Sequence, residues 1–175
     1  EGRVYAFYGT PTGLPTLPDW QVEGSLVEAY LGWSVAGAGD VNNDGFDDVI
    51  VGARWAQRTF FNEGMVQLYL GSANGLESAP AWTVYGEQAG ASLGTAVSRA
   101  GDINQDGYAD VLIGAPLFDT TEEDVGLALA FCGSAAGLGQ TPCWRVTGSQ
   151  PNGRLGEAVS GGGDVTGDGL DDGLI

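Results

Sequence analysis

Three stretches of this chain carry side chains whose types and spacing could do chemistry. They are Asp40-Val-Asn-Asn-Asp-Gly-Phe-Asp-Asp48, Asp102-Ile-Asn-Gln-Asp-Gly-Tyr-Ala-Asp110 and Asp164-Val-Thr-Gly-Asp-Gly-Leu-Asp-Asp172. Each places oxygen-bearing side chains at positions 1, 3, 5 and 9 and a glycine at position 6. In the first these are Asp40, Asn42, Asp44 and Asp48 with Gly45; in the second, Asp102, Asn104, Asp106 and Asp110 with Gly107; in the third, Asp164, Thr166, Asp168 and Asp172 with Gly169. Alternate spacing in a tight turn aims successive side chains at one centre, and glycine at position 6 permits the positive φ of a sharp turn. The main-chain carbonyl of position 7 (Phe46, Tyr108, Leu170) would complete a cage of hard oxygens, the environment that calcium selects at about 2.3–2.6 Å. The pattern predicts one Ca²⁺ per loop, three in all.

The loops are not EF-hands. An EF-hand needs a bidentate glutamate at position 12 and a helix on each side, whereas position 12 here is Val51, Ile113 or Ile175, inside an apolar run. A turn without an ion is the simpler alternative, since Asp, Asn and Gly favour turns on their own account. Against it, three carboxylates in one turn repel each other unless a cation compensates them. Free calcium at 100 times the dissociation constant adds about 2.7 kcal/mol per site, so three sites supply about 8 kcal/mol. That is comparable with the roughly 5–15 kcal/mol of a whole domain. The ions are therefore read as a requirement of the fold rather than as catalysts. Thr166 offers a hydroxyl where the other loops offer an amide carbonyl, a better donor to a hard cation, so the third site is expected to be the weakest.

Other chemistries fall away on composition. The chain has 175 residues, no histidine, and 23 acidic side chains against 6 basic ones, a net charge of −17. Without histidine there is no Ser-His-Asp or Cys-His nucleophile and no His-ligated zinc. The negative charge opposes binding to nucleic acid and to anionic membrane surfaces. No uncharged apolar stretch reaches the roughly 18 residues of a membrane span; the longest candidate, residues 125–139, is broken by glycines and a serine. Glu87, Glu122, Glu123 and Glu157, the acids that might serve a glycoside hydrolase, form no recognisable pair.

The elements that position the loops follow from an internal repeat. The loops recur at a step of 62 residues, and so do Trp20, Trp82 and Trp144; Leu31-Gly32, Leu93-Gly94 and Leu155-Gly156; and Gly9, Gly71 and Gly133. Each unit reads as four short strands, placed around the second loop at residues 92–100, 109–113, 126–132 and 143–147, bounded by Gly, Pro, Asn and Asp. Runs such as Val4-Tyr-Ala-Phe-Tyr8 and Asp48-Val-Ile-Val51 suit strands covered on both faces. Glycine, 31 of 175 residues, excludes a mainly helical chain. The fold class is all-β: a β-propeller of four-stranded antiparallel blades, with a flat solenoid as the other architecture. The phase predicts a half blade at residues 1–24 (strands 3 and 4), whole blades at 25–86 and 87–148, and a half blade at 149–175 (strands 1 and 2). Such a segment is partial, completed by a longer chain or by other copies. The start at Glu1, with neither a methionine nor a signal peptide, reads as a mature or excised segment.

Residues 31–53, Leu-Gly-Trp-Ser-Val-Ala-Gly-Ala-Gly-Asp-Val-Asn-Asn-Asp-Gly-Phe-Asp-Asp-Val-Ile-Val-Gly-Ala, resemble an FG-GAP repeat, found in integrin α-subunit propellers and many secreted bacterial proteins. Leucine replaces the usual phenylalanine in the aromatic-glycine element; Gly114-Ala115-Pro116 keeps the second element, and Gly52-Ala53-Arg54 alters it. The resemblance covers essentially the whole chain. It implies calcium in the loop between the first and second strands, and adhesion or ligand binding outside the cell, secreted or at the cell surface. Such propellers also accompany lipases and polysaccharide-degrading enzymes, so an accessory propeller of a secreted enzyme and a subunit of an extracellular filament or surface layer are further readings. The leading expectation is a non-enzymatic, calcium-stabilised segment for adhesion, protein binding or self-assembly. Its partner is a protein or glycan, and its half blades offer a route to self-association.

Smaller features carry their own expectations. Cys132 and Cys143 flank one connection and are well located for a disulfide, which suits an oxidising compartment. Trp20, Trp82 and Trp144 recur too strictly for a carbohydrate platform and are expected to pack between blades. Trp33 and Trp55 lie off the pattern, and the loop at 54–61, with two arginines and several aromatics, has the composition of an interface hot spot. The matching loop at 119–124 is acidic, which suggests a contact between the two loops or plain solvation.

Overall fold

The computed structural model describes residues 1–175 as twelve strands without a helix. β1 (Arg3–Ala6) and β2 (Trp20–Glu23) form a two-stranded sheet. β3 (Ser34–Gly39), β4 (Asp48–Ala53), β5 (Met65–Tyr69) and β6 (Trp82–Tyr85) form a four-stranded antiparallel meander. β7 (Ala96–Gly101), β8 (Asp110–Ala115), β9 (Leu127–Phe131) and β10 (Trp144–Thr147) repeat it, and β11 (Ser160–Gly163) pairs with β12 (Asp172–Leu174). The first strands stand side by side, β3 beside β7 and β7 beside β11. These are β-propeller blades, with no closed ring among them.

The first strand of a unit starts later than its residues suggest. Ser92 and Gly94 both have positive φ (57° and 83°), so the expected opening of the strand at 92 is a turn, and β7 begins only at Ala96. That turn brings Leu93 N to donate to Glu63 O (3.0 Å) in the preceding blade, while Gly94 N donates to Gly114 O (3.0 Å) in its own. A β-bulge closes each first strand just before its acidic loop, at Gly37/Gly39, Arg99/Gly101 and Gly161/Gly163.

The core lies between sheets. Ile50, Val66, Leu68 and Trp82 of one blade meet Val111, Ile113, Leu129 and Phe131 of the next in a single buried cluster. Trp20 stacks edge-on against Tyr69 (5.2 Å) and Trp82 against Phe131 (4.9 Å), and their indole N–H groups donate to Glu77 O and Gly139 O. The tryptophans at this position therefore pack between blades, as their recurrence predicts, except Trp144, which is exposed. The run Asp48–Val51 is covered on both faces, but Tyr5, Phe7 and Tyr8 in the run at 4–8 are exposed, because no sheet lies beyond β1–β2.

Cys132 and Cys143 form a disulfide across the β9–β10 connection, with Cα atoms 5.9 Å apart. Replacing both by serine is expected to cost up to about 3 kcal/mol in a denaturant titration, the loop-closure value for a short ring.

Candidate metal centres

The two complete acidic loops are built alike. In the first, Asp40 Oδ1 and Oδ2 accept the N–H groups of Asp44 (3.0 Å) and Gly45 (2.7 Å). Asn42 Oδ1 accepts from Asp44 N (3.2 Å), Asn42 Nδ2 donates to Asp44 Oδ2 (2.9 Å), and Asp44 Oδ1 accepts from Phe46 N (3.0 Å). Asp102, Asn104 and Asp106 repeat every one of these bonds. Asn43 and Gln105 at position 4 and Gly45 and Gly107 at position 6 all take positive φ, so the backbone wraps twice within each loop. Side chains 1, 3 and 5 are thereby folded over the same turn, with oxygens carrying further lone pairs.

Position 9 is placed differently. Asp48 is fully buried, and its two oxygens accept N–H groups from Val41 (3.0 Å) and Gly71 (2.8 Å). Asp110 does the same with Ile103 (2.9 Å) and Gly133 (2.8 Å). Each carboxylate thus ties its loop to the end of the third strand, a role that sequence reasoning missed. Its signal was the 62-residue recurrence of Gly9, Gly71 and Gly133. Burial pushes both carboxyls above the usual carboxylate range, only partly offset by those N–H bonds. No arginine is paired with any of the loop acids, since the ion pairs of the chain are Arg3–Glu23, Arg145–Glu87 and Arg154–Asp124.

The third loop is looser. Asp164 accepts from Gly167, Asp168 and Gly169, and Asp168 from Leu170, but the Thr166 hydroxyl makes no bond inside the loop. Asp172 accepts from Val165 and Thr166 through Oδ2 alone.

Neighbouring loops touch. Asp40 O accepts from Ala109 N (3.0 Å), Asp102 O from Asp171 N (3.4 Å), and Asp171 Oδ2 from Asp102 N (2.9 Å). Gln105 Nε2 donates to Gly169 O (2.6 Å). The residue types fit a hard cation: carboxylate, amide and main-chain oxygens on one turn, with a buried acid behind them and no ion pair to any of the loop acids. No cluster of three or more His, Cys, Asp or Glu side chains gathers on its own, so any metal would depend on the asparagine and carbonyl donors as well.

A second candidate surface lies at the 54–61 loop. Tyr30, Trp33, Trp55 and Phe61 are exposed, Trp33 stacks at 6.5 Å from Trp55, and the Arg54 guanidinium lies 4.5 Å from the Trp33 ring. Arg54 Nε is buried without a hydrogen-bond partner. Of the two readings of the acidic 119–124 loop, no ion pair joins it to Arg54 or Arg58 within the chain, and its Asp124 meets Arg154 instead.

Fold and loops together define a β-propeller-type repeat protein with acidic hairpin turns. A family profile described as FG-GAP-like repeat matches residues 40–113. Integrin alpha-8 of Gallus gallus is 36% identical over 152 residues, covering 81% of this chain and 14% of that protein. Integrin alpha-5 of Xenopus laevis is 30% identical over 165 residues (89% and 15%), and integrin alpha-6 of Homo sapiens 30% over 150 residues (85% and 12%). The chain belongs to the FG-GAP repeat family. It spans about one seventh of the length of these relatives.

Proposed function

We propose that this chain is a calcium-stabilised, extracellular β-propeller segment that binds a protein partner and catalyses nothing itself. Asp40, Asn42, Asp44 and Asp48 with the Phe46 carbonyl would hold one ion. Asp102, Asn104, Asp106 and Asp110 with Tyr108 O would hold the second, and Asp164, Thr166, Asp168 and Asp172 with Leu170 O the third. The observation that carries this reading is the two loops of identical hydrogen-bonding in which the side chains of positions 1, 3 and 5 fold over one turn and none of their carboxylates is ion-paired. A bound Ca²⁺ supplies that neutralisation. The similarity to integrin α-subunits and the disulfide support an extracellular setting. The exposed Tyr30, Trp33, Trp55 and Phe61 with Arg54 are the surface best suited to a partner, because aromatic and arginine side chains dominate interface energetics.

Calorimetric titration of calcium into the chelated protein tests this reading. The expected stoichiometry is three, with the weakest step abolished by Asp168→Ala, because the Thr166 loop lacks the amide that pins the other two. Equal affinities at all three loops would overturn the ranking, and absence of binding would overturn the reading.

A further inference from the structure

We propose that the cleft between β2 and β5 is a binding site for the acetamide group of an N-acetylated sugar. The cleft is about 120 Å³ and is lined by the connection at 23–31 and by Met65, Gln67, Tyr69 and Tyr85. Its bottom is apolar, since Ala29, Leu31 and Met65 are buried, and its mouth is polar, since Glu23 and Ser25 are exposed. A cavity of about 150 Å³ holds a benzene molecule, so this one takes a group of about five non-hydrogen atoms.

The repeat shows that the fold does not require the polar groups of this cleft. The same cleft recurs one 62-residue step later, between β6 and β9, where Leu127, Leu129 and Phe131 stand in place of Met65, Gln67 and Tyr69. All three of those side chains belong to the apolar core between the sheets. An amide and a hydroxyl taken into such a place cost desolvation unless they are paired, and here the pairing is incomplete. Tyr69 is 1% exposed and its hydroxyl donates to Gln67 Oε1 (2.9 Å), whereas Gln67 Nε2, Tyr85 Oη and Ser25 Oγ bond nothing in the chain. Burial keeps the Tyr69 hydroxyl neutral, pushing its pKa up to about 12. Side chains also account for the room. The later cleft retains only about 40 Å³, because Phe118 and Arg145 occupy it, with the Arg145 guanidinium 5.1 Å from the Phe118 ring and 3.5 Å from Glu87. Their counterparts one step earlier are Ala56 and Thr83.

The free groups select the ligand. Gln67 Nε2 donates to a carbonyl oxygen, the lone pairs of the Tyr69 hydroxyl accept from an amide N–H, and the buried Leu31 and Met65 receive a methyl. An acetamide supplies all three and matches the size of the cavity. An anionic ligand would face Glu23 and a chain of net charge −17. A cationic one would find Glu23 already paired with Arg3 (2.8 Å). The ligand is therefore uncharged. Ser25 and Tyr85 bring hydroxyls to the mouth, where they suit a polyol better than the alkyl stem of an acetylated lysine, and Arg58, 5.0 Å from the Tyr85 ring, steadies that ring. The site is independent of calcium in the acidic loops.

Met65 is the one methionine of the chain and lines the cleft, so a carbon-13 methyl label on methionine gives a single resonance that reports on it. With calcium present, N-acetylglucosamine is expected to shift that resonance saturably, with a dissociation constant of about 1–10 mM for a buried group of this size. Glucose, which lacks the acetamide, should leave the resonance in place at about 100 mM, and N-methylacetamide, which lacks the ring, should bind at least about tenfold more weakly than the sugar. Gln67→Leu and Tyr69→Phe introduce the residue types of the later cleft, so both variants keep the fold, as unchanged near-UV circular dichroism would verify. Each is expected to weaken binding at least about tenfold. A resonance that N-acetylglucosamine fails to shift saturably would overturn the proposal, as would binding that both substitutions leave intact. Equal affinity for glucose would take the amide out of the site, and equal affinity for N-methylacetamide or N-acetyl-lysine would overturn the assignment to a sugar.

Discussion

Chelating calcium with EDTA is expected to lower the melting temperature of this chain by about 15–30 °C. Three sites at 100-fold saturation contribute about 8 kcal/mol, and a protein of this length loses roughly 2–4 °C per kcal/mol. The sign rests on electrostatics. Without the ions the first loop holds Asp40, Asp44 and Asp47 beside the buried Asp48, and the second holds Asp102 and Asp106 beside the buried Asp110, and like charges at that range disfavour the folded loop. The loss should propagate, because Asp40 O and Ala109 N, and Asp102 O and Asp171 N, join each loop to the next. Asp106→Ala, in the middle loop, should therefore cost more than Asp44→Ala or Asp168→Ala, since the middle loop alone has a loop neighbour on both sides. Magnesium, which demands tighter octahedral geometry, should restore little of the loss. A melting curve that EDTA leaves in place, together with no calcium by elemental analysis, would remove the basis of the functional reading.

The loops and the repeat were legible because both are local. A 62-residue step with no insertion sets the number and order of the strands, and positions 1, 3, 5 and 6 of each loop act within a single turn. Gly45 and Gly107 do take the positive φ that their sequence position demands. What escaped was non-local. The position-9 acids read as ligands like any other, and only the folded chain shows Asp48 reaching Gly71, 23 residues away, to brace the end of β5. Trp144 looks identical to Trp20 and Trp82 in the sequence, yet its environment depends on a strand that lies on no neighbouring sheet here. Ser92 to Thr95 read as strand from their neighbours, but Leu93 and Gly94 are spent on joining two blades, which requires a turn. Burial of the 4–8 run failed for the same reason as Trp144: alternation and apolar content report what a strand could cover, not whether anything covers it.

That joining turn yields the second large effect. Gly114 lies in β8 with an ordinary backbone conformation, so its glycine is not needed for φ. It is needed for space, because a Cβ there would overlap the carbonyl oxygen of Gly156, and one at Gly52 would overlap the carbonyl oxygen of Gly94. These are backbone-to-backbone contacts between successive blades, and no side chain can rotate away to relieve them. The Leu-Gly element that opens each unit is thus explained without appeal to function: leucine fills the core, at 4% and 2% exposure for Leu31 and Leu93, and glycine lets the next blade approach. Gly114→Val is accordingly expected to cost about 4 kcal/mol or more, at the upper end of what single substitutions do. Gly37→Val supplies the comparison, since Gly37 also sits in a strand, is exposed, and a Cβ there meets nothing within 4 Å. Its effect should stay within about 1 kcal/mol and should be favourable where β-branching suits the strand. Urea titration of the two variants in calcium separates them. Equal midpoints would mean that the blades slide apart to admit a side chain, and the close approach would then have no part in setting the spacing between them.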